Sequence, residues 1–407
     1  MKVLLVNKFL YPRGGDAVST IATGRLLSER GHDVLFWGMD HPDNPYYFTR
    51  DHFVSYVDLD GPAGPYAQAK TAARILYSRE AKRKFSRLIR DERPDIVHLN
   101  NFAHQISPSI IPVLIKYRIP SVMTMRDYKL VCPTYLLLRD GRLCEECSQG
   151  RYYRCFLNRC TKDSWSKSLL STLEMYLHHR VLHIYDRIDV IIATTRFLDQ
   201  KCRDMGLPRR CFYLNNFVET ADFRPDFSPR PGPVVYFGRL SAEKGILTLM
   251  EAVAGLGVGL KIIGEGPLRA ELEARSARID ARITFLGRLG GEDLHREIRE
   301  SAVVVVPSEW YEPFGRTVIE AYALGKPVIG SRMGGIPELI REGETGLTFR
   351  AGDVAELAKQ IGCLTGDPEA AAAMGRAGRA LVEERFGAEL HYRGLISAYR
   401  RALEARR

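Results

Sequence analysis

The sequence predicts an α/β protein of two doubly wound domains, each a parallel sheet covered by helices on both faces. Short apolar runs rich in Val and Ile alternate with helical patterns along the chain. The runs are continuously apolar, which is typical of strands buried on both faces. The series also runs twice, because residues 224–233 place four prolines in ten residues and interrupt it.

The individual elements follow from this pattern in chain order. Five strands are predicted before the break and five after it. The predicted strands are residues 3–6, 34–37, 96–99, 122–125, 190–193, 234–237, 260–263, 283–286, 303–306 and 328–329. The predicted helices are residues 20–30, 81–90, 245–255, 268–277, 316–324 and 388–405.

A further apolar pattern at helical spacing covers residues 169–184. Its members are Leu169, Leu170, Leu173, Tyr176, Leu177, Val181 and Ile184. The segment is short and contains Glu174, His178, His179 and Arg180. We therefore expect a core helix there rather than a membrane-spanning one.

The order of these elements predicts that the chain is divided into two domains, a linker and a C-terminal helical segment. A first domain covers residues 1–223 and contains a cysteine-rich insert at about 132–165, where the α/β rhythm stops. A linker at 224–233 leads to a second domain at 234–385. Residues 386–407 form a last helical segment that could cross back to the first domain. Two such domains leave a cleft between their strand ends, where ligands of open α/β sheets bind.

The composition is that of an ordinary soluble protein, with 407 residues, 45% apolar and 27% charged. This balance excludes a disordered, a fibrous or a multi-pass membrane protein. The apolar stretch at the N-terminus is interrupted by Asn7 and Lys8, so it predicts a first strand rather than a signal peptide. We therefore expect a cytoplasmic protein.

The net charge of +10 is concentrated in one segment. Residues 70–90 hold eight basic side chains and Glu80 as the single acidic one. This stripe indicates an anionic membrane surface, a diphosphate-linked lipid or a nucleic acid, with a solvated helix face as the alternative. Because only Tyr77 and Phe85 could stack on bases, we expect no nucleic acid. The apolar face Ala81, Phe85, Leu88 and Ile89 is expected to pack on the sheet and leave the cations in water. The protein could therefore be peripheral on the inner face of the plasma membrane.

Five of the eight cysteines lie within 29 residues. Cys144-x2-Cys147 is a metal half-site, and Cys155 and Cys160 complete a four-thiolate set with Cys132 as the alternative ligand. We expect a structural zinc. An iron–sulfur cluster and unliganded thiols are the alternatives.

Three motifs follow predicted strands and carry chemistry. Gly14-Gly15 precedes the first helix, where a backbone can approach an anion closely. Arg239 and Lys244 stand five apart around a later turn and can neutralise a leaving diphosphate without a divalent metal. Glu312 and Glu320 stand eight apart and can accept hydrogen bonds from one polyol.

These motifs, together with the segments at 262–267 and 334–340, resemble retaining glycosyltransferases of the GT-B fold, family 4. Residues 95–101, 104–110 and 127–133 resemble the N-terminal domain of bacterial polysaccharide-assembly members, which also tend to carry the cysteine cluster. The resemblance covers nearly the whole chain. It implies that the first domain lies on the acceptor side and that the second binds a nucleotide-sugar donor.

The resemblance also implies roles for single residues. Those expected on the donor phosphates, sugar, ribose and base are Gly14, Gly15, Arg239, Lys244, Gly264, Glu265, Glu312, Phe314, Gly315 and Glu320, with Asn216 near the cleft. Arg126-Asp127 stands where the family commonly has His-Asp at the reacting centre. Arg cannot act as a general base, so Arg126 holds an anionic sugar or acceptor phosphate, or marks altered activity.

The resemblance therefore implies a metal-independent, retaining transfer of a sugar from a nucleotide diphosphate to a saccharide or a lipid-linked acceptor. No catalytic cofactor is expected. The alternatives on the same fold are a nucleotide-sugar epimerase and a non-catalytic sugar-nucleotide-binding protein.

Overall fold

The computed structural model describes residues 1–58, 64–279 and 281–406. Arg407, the end of the predicted last segment, lies outside the described residues. The strands in chain order are β1 (Lys2–Val6), β2 (Asp33–Trp37), β3 (Met39–Asp40), β4 (Val54–Ser55), β5 (Ile96–Leu99), β6 (Ser121–Thr124), β7 (Leu138–Arg139), β8 (Arg142–Leu143), β9 (Val190–Ala193), β10 (Phe212–Tyr213), β11 (Val234–Phe237), β12 (Gly259–Ile263), β13 (Arg282–Gly287), β14 (Val303–Val306), β15 (Val328–Ser331) and β16 (Gly346–Phe349).

The helices lie between these strands, as the alternating pattern predicts. In chain order they are α1 (Gly15–Glu29), α2 (Pro65–Leu76), α3 (Arg79–Glu92), α4 (Ile111–Lys116), α5 (Tyr153–Leu157), α6 (Trp165–Tyr176), α7 (Arg196–Asp204), α8 (Ile246–Ala252), α9 (Arg269–Ser276), α10 (Gly291–Arg299), α11 (Arg316–Ala323), α12 (Val354–Gly366), α13 (Pro368–Arg385) and α14 (Ala388–Glu404). A π-helical turn, Leu177–Val181, continues α6.

Twelve of these strands form two parallel sheets, which confirms the predicted fold class, and the short strands pair separately as β3 with β4 and β7 with β8. The first sheet has the order β10-β9-β6-β5-β1-β2, and the second has the order β13-β12-β11-β14-β15-β16. Their central strands are buried on both faces, as in Ile96–Leu99 and Val303–Val306. In each sheet the strand order reverses beside the first strand of its domain, between β1 and β5 and between β11 and β14. These switch points are where open α/β sheets bind ligands at the carboxyl ends of their strands.

The last helix packs against the first domain. Leu395, Ala398, Tyr399 and Ala402 of α14 are buried with Val3 and other residues of the first sheet. No helix within the described residues combines the length and apolarity needed to cross a bilayer.

The prediction of a core helix at 169–184 was wrong about which face of α6 is buried. Trp165, Leu169 and Leu173, one turn apart, are 43–52% exposed, whereas Glu174 is fully buried. The inner face is polar because it packs on the cysteine-rich insert. There, Ser168 Oγ accepts a hydrogen bond from the backbone N–H of Thr161. An apolar stripe thus faces solvent beside the insert.

The basic stripe is only partly in water. The predicted apolar face of α3 is buried, with Phe85 fully enclosed. The prediction was wrong for Lys84, which is half-buried and donates to the carbonyl of Phe53, and also for Arg74, which donates to the carbonyls of Gln105 and Ser55. The exposed cations are Lys70, Arg79, Lys82, Arg83, Arg87 and Arg90.

Candidate active site

A cleft of about 2090 Å³ lies where the two switch points face each other. Segments that follow β1, β5 and β6 line it from the first domain, and segments that follow β11, β12 and β14 line it from the second. Ten of the residues proposed from the sequence are in its lining. They are Gly14, Gly15, Asp127, Arg239, Lys244, Gly264, Glu265, Glu312, Gly315 and Glu320.

Three proposed residues are placed elsewhere among the described residues. Phe314 is buried in the core of the second domain. Arg126 and Asn216 are not among the residues that line the cleft, and they are hydrogen-bonded to each other. Arg126 donates from Nη1 to Asn216 Oδ1 at 2.6 Å and from Nη2 to Asn100 Oδ1 at 2.8 Å. Burial lowers the pKa of Arg126 to about 10, so it stays charged at neutral pH and joins the segment after β10 to the segment after β5.

Glu312 is held at the centre of the second domain's wall. Its Oε2 accepts from Lys244 Nζ at 2.7 Å, from Trp310 Nε1 at 3.0 Å and from Ser308 Oγ at 3.1 Å. Lys244 also lies over the Trp310 ring. The pair Lys244–Glu312 is partly exposed to the cleft, so an incoming diphosphate and sugar can each engage one member.

Two glycines of the segment 334–340 support the loop that carries Glu312. Gly334 has a left-handed backbone (φ 63°), and a Cβ there would lie 2.3 Å from the backbone nitrogen of Glu312. The N–H of Gly335 donates to the carbonyl of Glu312 at 2.8 Å. Any side chain at position 334 would therefore displace the Glu312 loop.

Glu320 is part of a contact between the domains. Its carboxylate accepts from Arg316 Nε at 2.6 Å, and Arg316 Nη1 donates to Ser19 Oγ at 3.3 Å and to the carbonyl of Phe217 at 3.2 Å. Gly315 caps α11 with a left-handed backbone (φ 93°), which exposes the first N–H groups of that helix to the cleft. Nearby, Gly264 passes close to the carbonyl of Gly238, where a Cβ would lie at 1.9 Å.

The opposite wall carries cations that the sequence analysis did not select. Gly14 caps α1 with an extended backbone, so the helix N-terminus opens toward the cleft. Lys8 follows β1 and lines the same space with Arg13. Burial lowers the pKa of Lys8, with Asp16 and Asp127 acting against it and with Arg13 and Arg239 adding to it. Cations of both domains therefore converge here, as a diphosphate site requires.

Asp127 follows β6 on the floor of the cleft. Its Oδ1 accepts from the backbone N–H of Lys129 at 2.9 Å. Burial raises its pKa, and Lys8, His104 and Lys129 act against that rise. Asp127 is thus a carboxylate in a cationic setting within the cleft.

The predicted zinc ligands lie together in the insert. Cys147 and Cys155 are buried in the core of the first domain, and all the clustered thiols are free. A hydrogen bond from the Cys160 thiol lowers the pKa of Cys155 to about 7. Burial raises the pKa of Cys147, and the neighbouring Cys132, Cys155 and Cys144 add to that rise. Within residues 1–58, 64–279 and 281–406 no group of three or more His, Cys, Asp or Glu side chains is arranged to hold a metal ion, so the thiols as placed do not form a ready ligand set. Zinc stays a prediction.

Hydrogen bonds also connect the two domains beside the cleft. Glu338 of the second domain accepts from the backbone N–H groups of Arg196 and Phe197, the first residues of α7, at 3.0 and 2.6 Å. Tyr311, next to Glu312, donates to Glu145 of the cysteine-rich insert at 2.9 Å. The insert therefore touches the loop that carries Glu312.

The sequence analysis missed Lys8, His104, Arg316 and Glu338. His104, Arg316 and Glu338 lie inside the segments 104–110, 312–320 and 334–340 that carry the family resemblance, but no role was predicted for them, and Lys8 lies outside those segments. A usable signal was the strand order, because residues after β1 and β5 must meet at the first switch point. That order was not predicted from the sequence.

The fold and the cleft first define a class, the glycosyltransferases of the GT-B arrangement. Residues 13–222 match the family model "Glycosyltransferase Family 4", and residues 218–381 match the model "Glycosyl transferases group 1". The chain belongs to glycosyltransferase family 4 and is a glycosyltransferase. The predicted family and enzyme class are confirmed.

Two bacterial proteins are among those similar to this chain. The chain is 26% identical over 361 residues to an "Uncharacterized 42.6 kDa protein in cps region" of Klebsiella pneumoniae, covering 84% of this chain and 88% of that protein. It is 32% identical over 195 residues to the lipopolysaccharide core biosynthesis glycosyltransferase LpsE of Rhizobium meliloti, covering 46% of this chain and 56% of that protein.

Solved structures agree on the fold. Sucrose-phosphate synthase from Thermosynechococcus elongatus superposes with a TM-score of 0.73 at 22% identity, covering 99% of both chains. HepE of Anabaena, solved with UDP and glucose, superposes with a TM-score of 0.66 at 19% identity, covering 98% of this chain and 99% of that chain.

Proposed function

We propose that this glycosyltransferase moves a sugar from a nucleotide-diphosphate sugar to a saccharide or lipid-linked acceptor, with retention of the anomeric configuration and without a catalytic metal. The observation that supports this proposal most directly is that Arg239, Lys244 and Lys8 line the same cleft as Glu312, and that Lys244 contacts Glu312. Fixed cations can stabilise the charge that develops on a departing diphosphate, which is the role a divalent ion would otherwise fill.

The residues on each wall of the cleft have separate roles in this reaction. Arg239 and Lys244 hold the diphosphate, the N-terminus of α1 at Gly14 and Gly15 approaches it, and Glu312 grips the donor sugar. Glu320 accepts hydrogen bonds from the ribose, while Gly264 and Glu265 border the base. The UDP-bound neighbour HepE supports a nucleotide-sugar donor. The acceptor would enter from the side of α2 and α6, whose residues Ala72, Ile75 and Leu170 also line the cleft.

The test is a melting-temperature screen of the purified protein against UDP-, GDP-, ADP- and dTDP-sugars. The donor should raise the melting temperature, and the same compound should release its nucleotide diphosphate on incubation. Glu312→Gln should keep most of the thermal shift and lose the release. A protein that binds none of these nucleotide sugars would overturn the proposal.

The clustered thiols support a structural zinc within the same proposal. Cys144, Cys147, Cys155 and Cys160 influence one another's pKa values, so they are neighbours in space. Four thiolates could hold one zinc ion after a rearrangement of their side chains. The ion would stabilise the fold of the insert, which contacts Tyr311 through Glu145.

The exposed cations of α3 support a place at an anionic membrane surface. Arg83, Arg87 and Arg90 project from the helix into solvent. A cation close to an anionic leaflet contributes about 1 kcal/mol at moderate salt. A protein held there reversibly would meet a lipid-linked acceptor on the cytoplasmic side.

A further inference from the structure

His104 lies at the first switch point, in the segment that follows β5. It lines the cleft, and its side chain is 16% exposed. Its backbone is left-handed (φ 62°), which is uncommon for any residue other than glycine. A side chain held there by an unusual backbone is directed by its surroundings rather than by its own preference.

A buried carboxylate fixes the orientation of the His104 ring. Nδ1 lies 3.3 Å from Glu174 Oε2, and the Glu174 side chain is fully buried on the inner face of α6. The same oxygen accepts from Lys129 Nζ at 2.7 Å. A carboxylate at Nδ1 holds the hydrogen of a neutral imidazole on that nitrogen, so Nε2 becomes the hydrogen-bond acceptor.

The groups around His104 favour the neutral ring. Burial lowers its pKa, Glu174 acts against that fall, and Lys129 and Lys8 add to it. Lys8 faces it from the end of β1, Asp127 and Lys129 from the segment after β6, and Glu174 from α6. A neutral imidazole at pH 7 can receive a hydrogen bond, which the surrounding lysines cannot.

We propose that His104 contacts the acceptor, with Nε2 accepting a hydrogen bond from the attacking hydroxyl, and that Glu174 is its positioning residue. This inference rests on the proposed transfer reaction. The acceptor oxygen forms the new bond to the anomeric carbon, and the bond from that carbon to the phosphate oxygen breaks, with its electron pair leaving on the nucleotide diphosphate. The hydroxyl proton passes to the departing phosphate oxygen. His104 orients the hydroxyl and is unchanged at the end.

Two substitutions at His104 separate contact with substrate from support of the fold. His104→Asn keeps a donor near Glu174 and removes Nε2, and Asn tolerates a left-handed backbone. His104→Gln places an amide near the position of Nε2 and gives up the Glu174 contact. His183→Asn is the matched control, because His183 also has a left-handed backbone (φ 47°) and an Nδ1 that lies 3.1 Å from the carboxylate of Asp186. Its side chain is 57% exposed and stands outside the cleft lining.

The assay uses the nucleotide sugar selected by the melting-temperature screen, with water as the acceptor. His104→Asn should keep the wild-type melting temperature and nucleotide affinity but release nucleotide diphosphate roughly tenfold to a hundredfold more slowly, as expected for one lost hydrogen bond in the transition state. The rate of the wild type should fall in acid as His104 is protonated, and His104→Asn should lack that limb. His183→Asn should behave as the wild type in every measurement.

Three results would overturn the inference. The first is a His104→Asn protein with wild-type release and an unchanged acid limb. The second is a His104→Asn protein that loses nucleotide affinity and melting temperature in step with its rate, which would mark a structural residue. The third is a nitrogen-15 spectrum at pH 7 that places the His104 hydrogen on Nε2. A wild-type protein that binds no nucleotide sugar would instead refute the proposed function.

Discussion

Replacing Lys129 by Met should destabilise the first domain strongly. Lys129 and Glu174 form an ion pair at 2.7 Å whose side chains are 5% and 0% exposed. Met keeps the length of the side chain and removes the charge, so Glu174 would be left buried with only imidazole neighbours. Breaking a buried pair by removing one partner costs about 3–5 kcal/mol.

The expected shift in melting temperature follows from the size of the domain. For a domain of 150–250 residues, each kcal/mol lowers the melting temperature by about 2–4 °C, so Lys129→Met should melt roughly 6–20 °C lower. Thermal unfolding by circular dichroism at one scan rate measures this. Arg393→Met is the control, because Arg393 pairs with Glu389 at 2.8 Å with side chains that are 74% and 48% exposed. That loss should stay under about 1 kcal/mol.

A double variant tests whether the unpaired charge of Glu174 causes the loss of stability. Lys129→Met with Glu174→Leu leaves no buried charge at the site, so it should melt closer to the wild type than Lys129→Met does. If the double variant loses the sum of the two single losses, or if Lys129→Met melts with the wild type, the pair does not behave as a buried ion pair and the reasoning is refuted.

The same pair predicts a dependence on pH. Burial alone would raise the pKa of Glu174, but the hydrogen bond from the His104 ring and the charge of Lys129 outweigh it and hold that pKa well below its usual range. A depressed carboxyl pKa contributes stability that is present above the unfolded value, about 4.3, and is lost as the pH falls further. The gap in stability between the wild type and Lys129→Met should therefore narrow below about pH 4.

The remaining predictions concern the donor, the metal and the membrane. Glu312→Ala should mainly lower kcat and Glu320→Ala should mainly raise the donor KM, and unchanged kinetics in both would misplace the donor site. Transfer should proceed in EDTA with an α-linked product from an α-linked donor, and a strict need for added Mg²⁺ would contradict the paired cations. Elemental analysis should find about one zinc per chain, whereas none, with all clustered thiols freely titratable in the folded protein, would remove the zinc hypothesis. The protein should bind to anionic but not neutral vesicles, and this binding should be salt-sensitive and should weaken in Arg83→Glu/Arg87→Glu. It should not weaken in Arg376→Glu, which changes an exposed arginine of α13. Equal binding to both vesicle types would leave α3 as a solvated face.

The sheets could be predicted because burial on both faces leaves a continuous apolar run in the sequence. Residues 303–306 are four valines, and the structure makes them one buried strand. The buried face of α6 could not be predicted from hydrophobicity, because that face packs against the cysteine-rich insert through polar side chains. Trp165, Leu169 and Leu173, which recur at helical spacing in α6, therefore lie on its solvent-exposed face rather than in the core.

The residues of the second domain that line the cleft could be predicted because each of their motifs is contiguous and follows one strand. Arg239 and Lys244 stand around a single turn, and Glu312 and Glu320 flank a single helix start. His104 and Glu174 are 70 positions apart and meet because the fold brings α6 beside the segment that follows β5. No local pattern records that meeting, so this pair could not be predicted from the sequence.

Within the described residues the chain passes between the domains at two places, and these two segments lie side by side. Val218, on the way to the second domain, forms a parallel bridge with Gly387, on the way back, and the N–H of Val218 donates to the carbonyl of Phe386 at 3.0 Å. Because both covalent connections are joined here, sliding or twisting of one domain against the other would strain both connections at once. A rotation about this junction would strain them least, and it would displace most the side of the cleft that lies farthest from the junction.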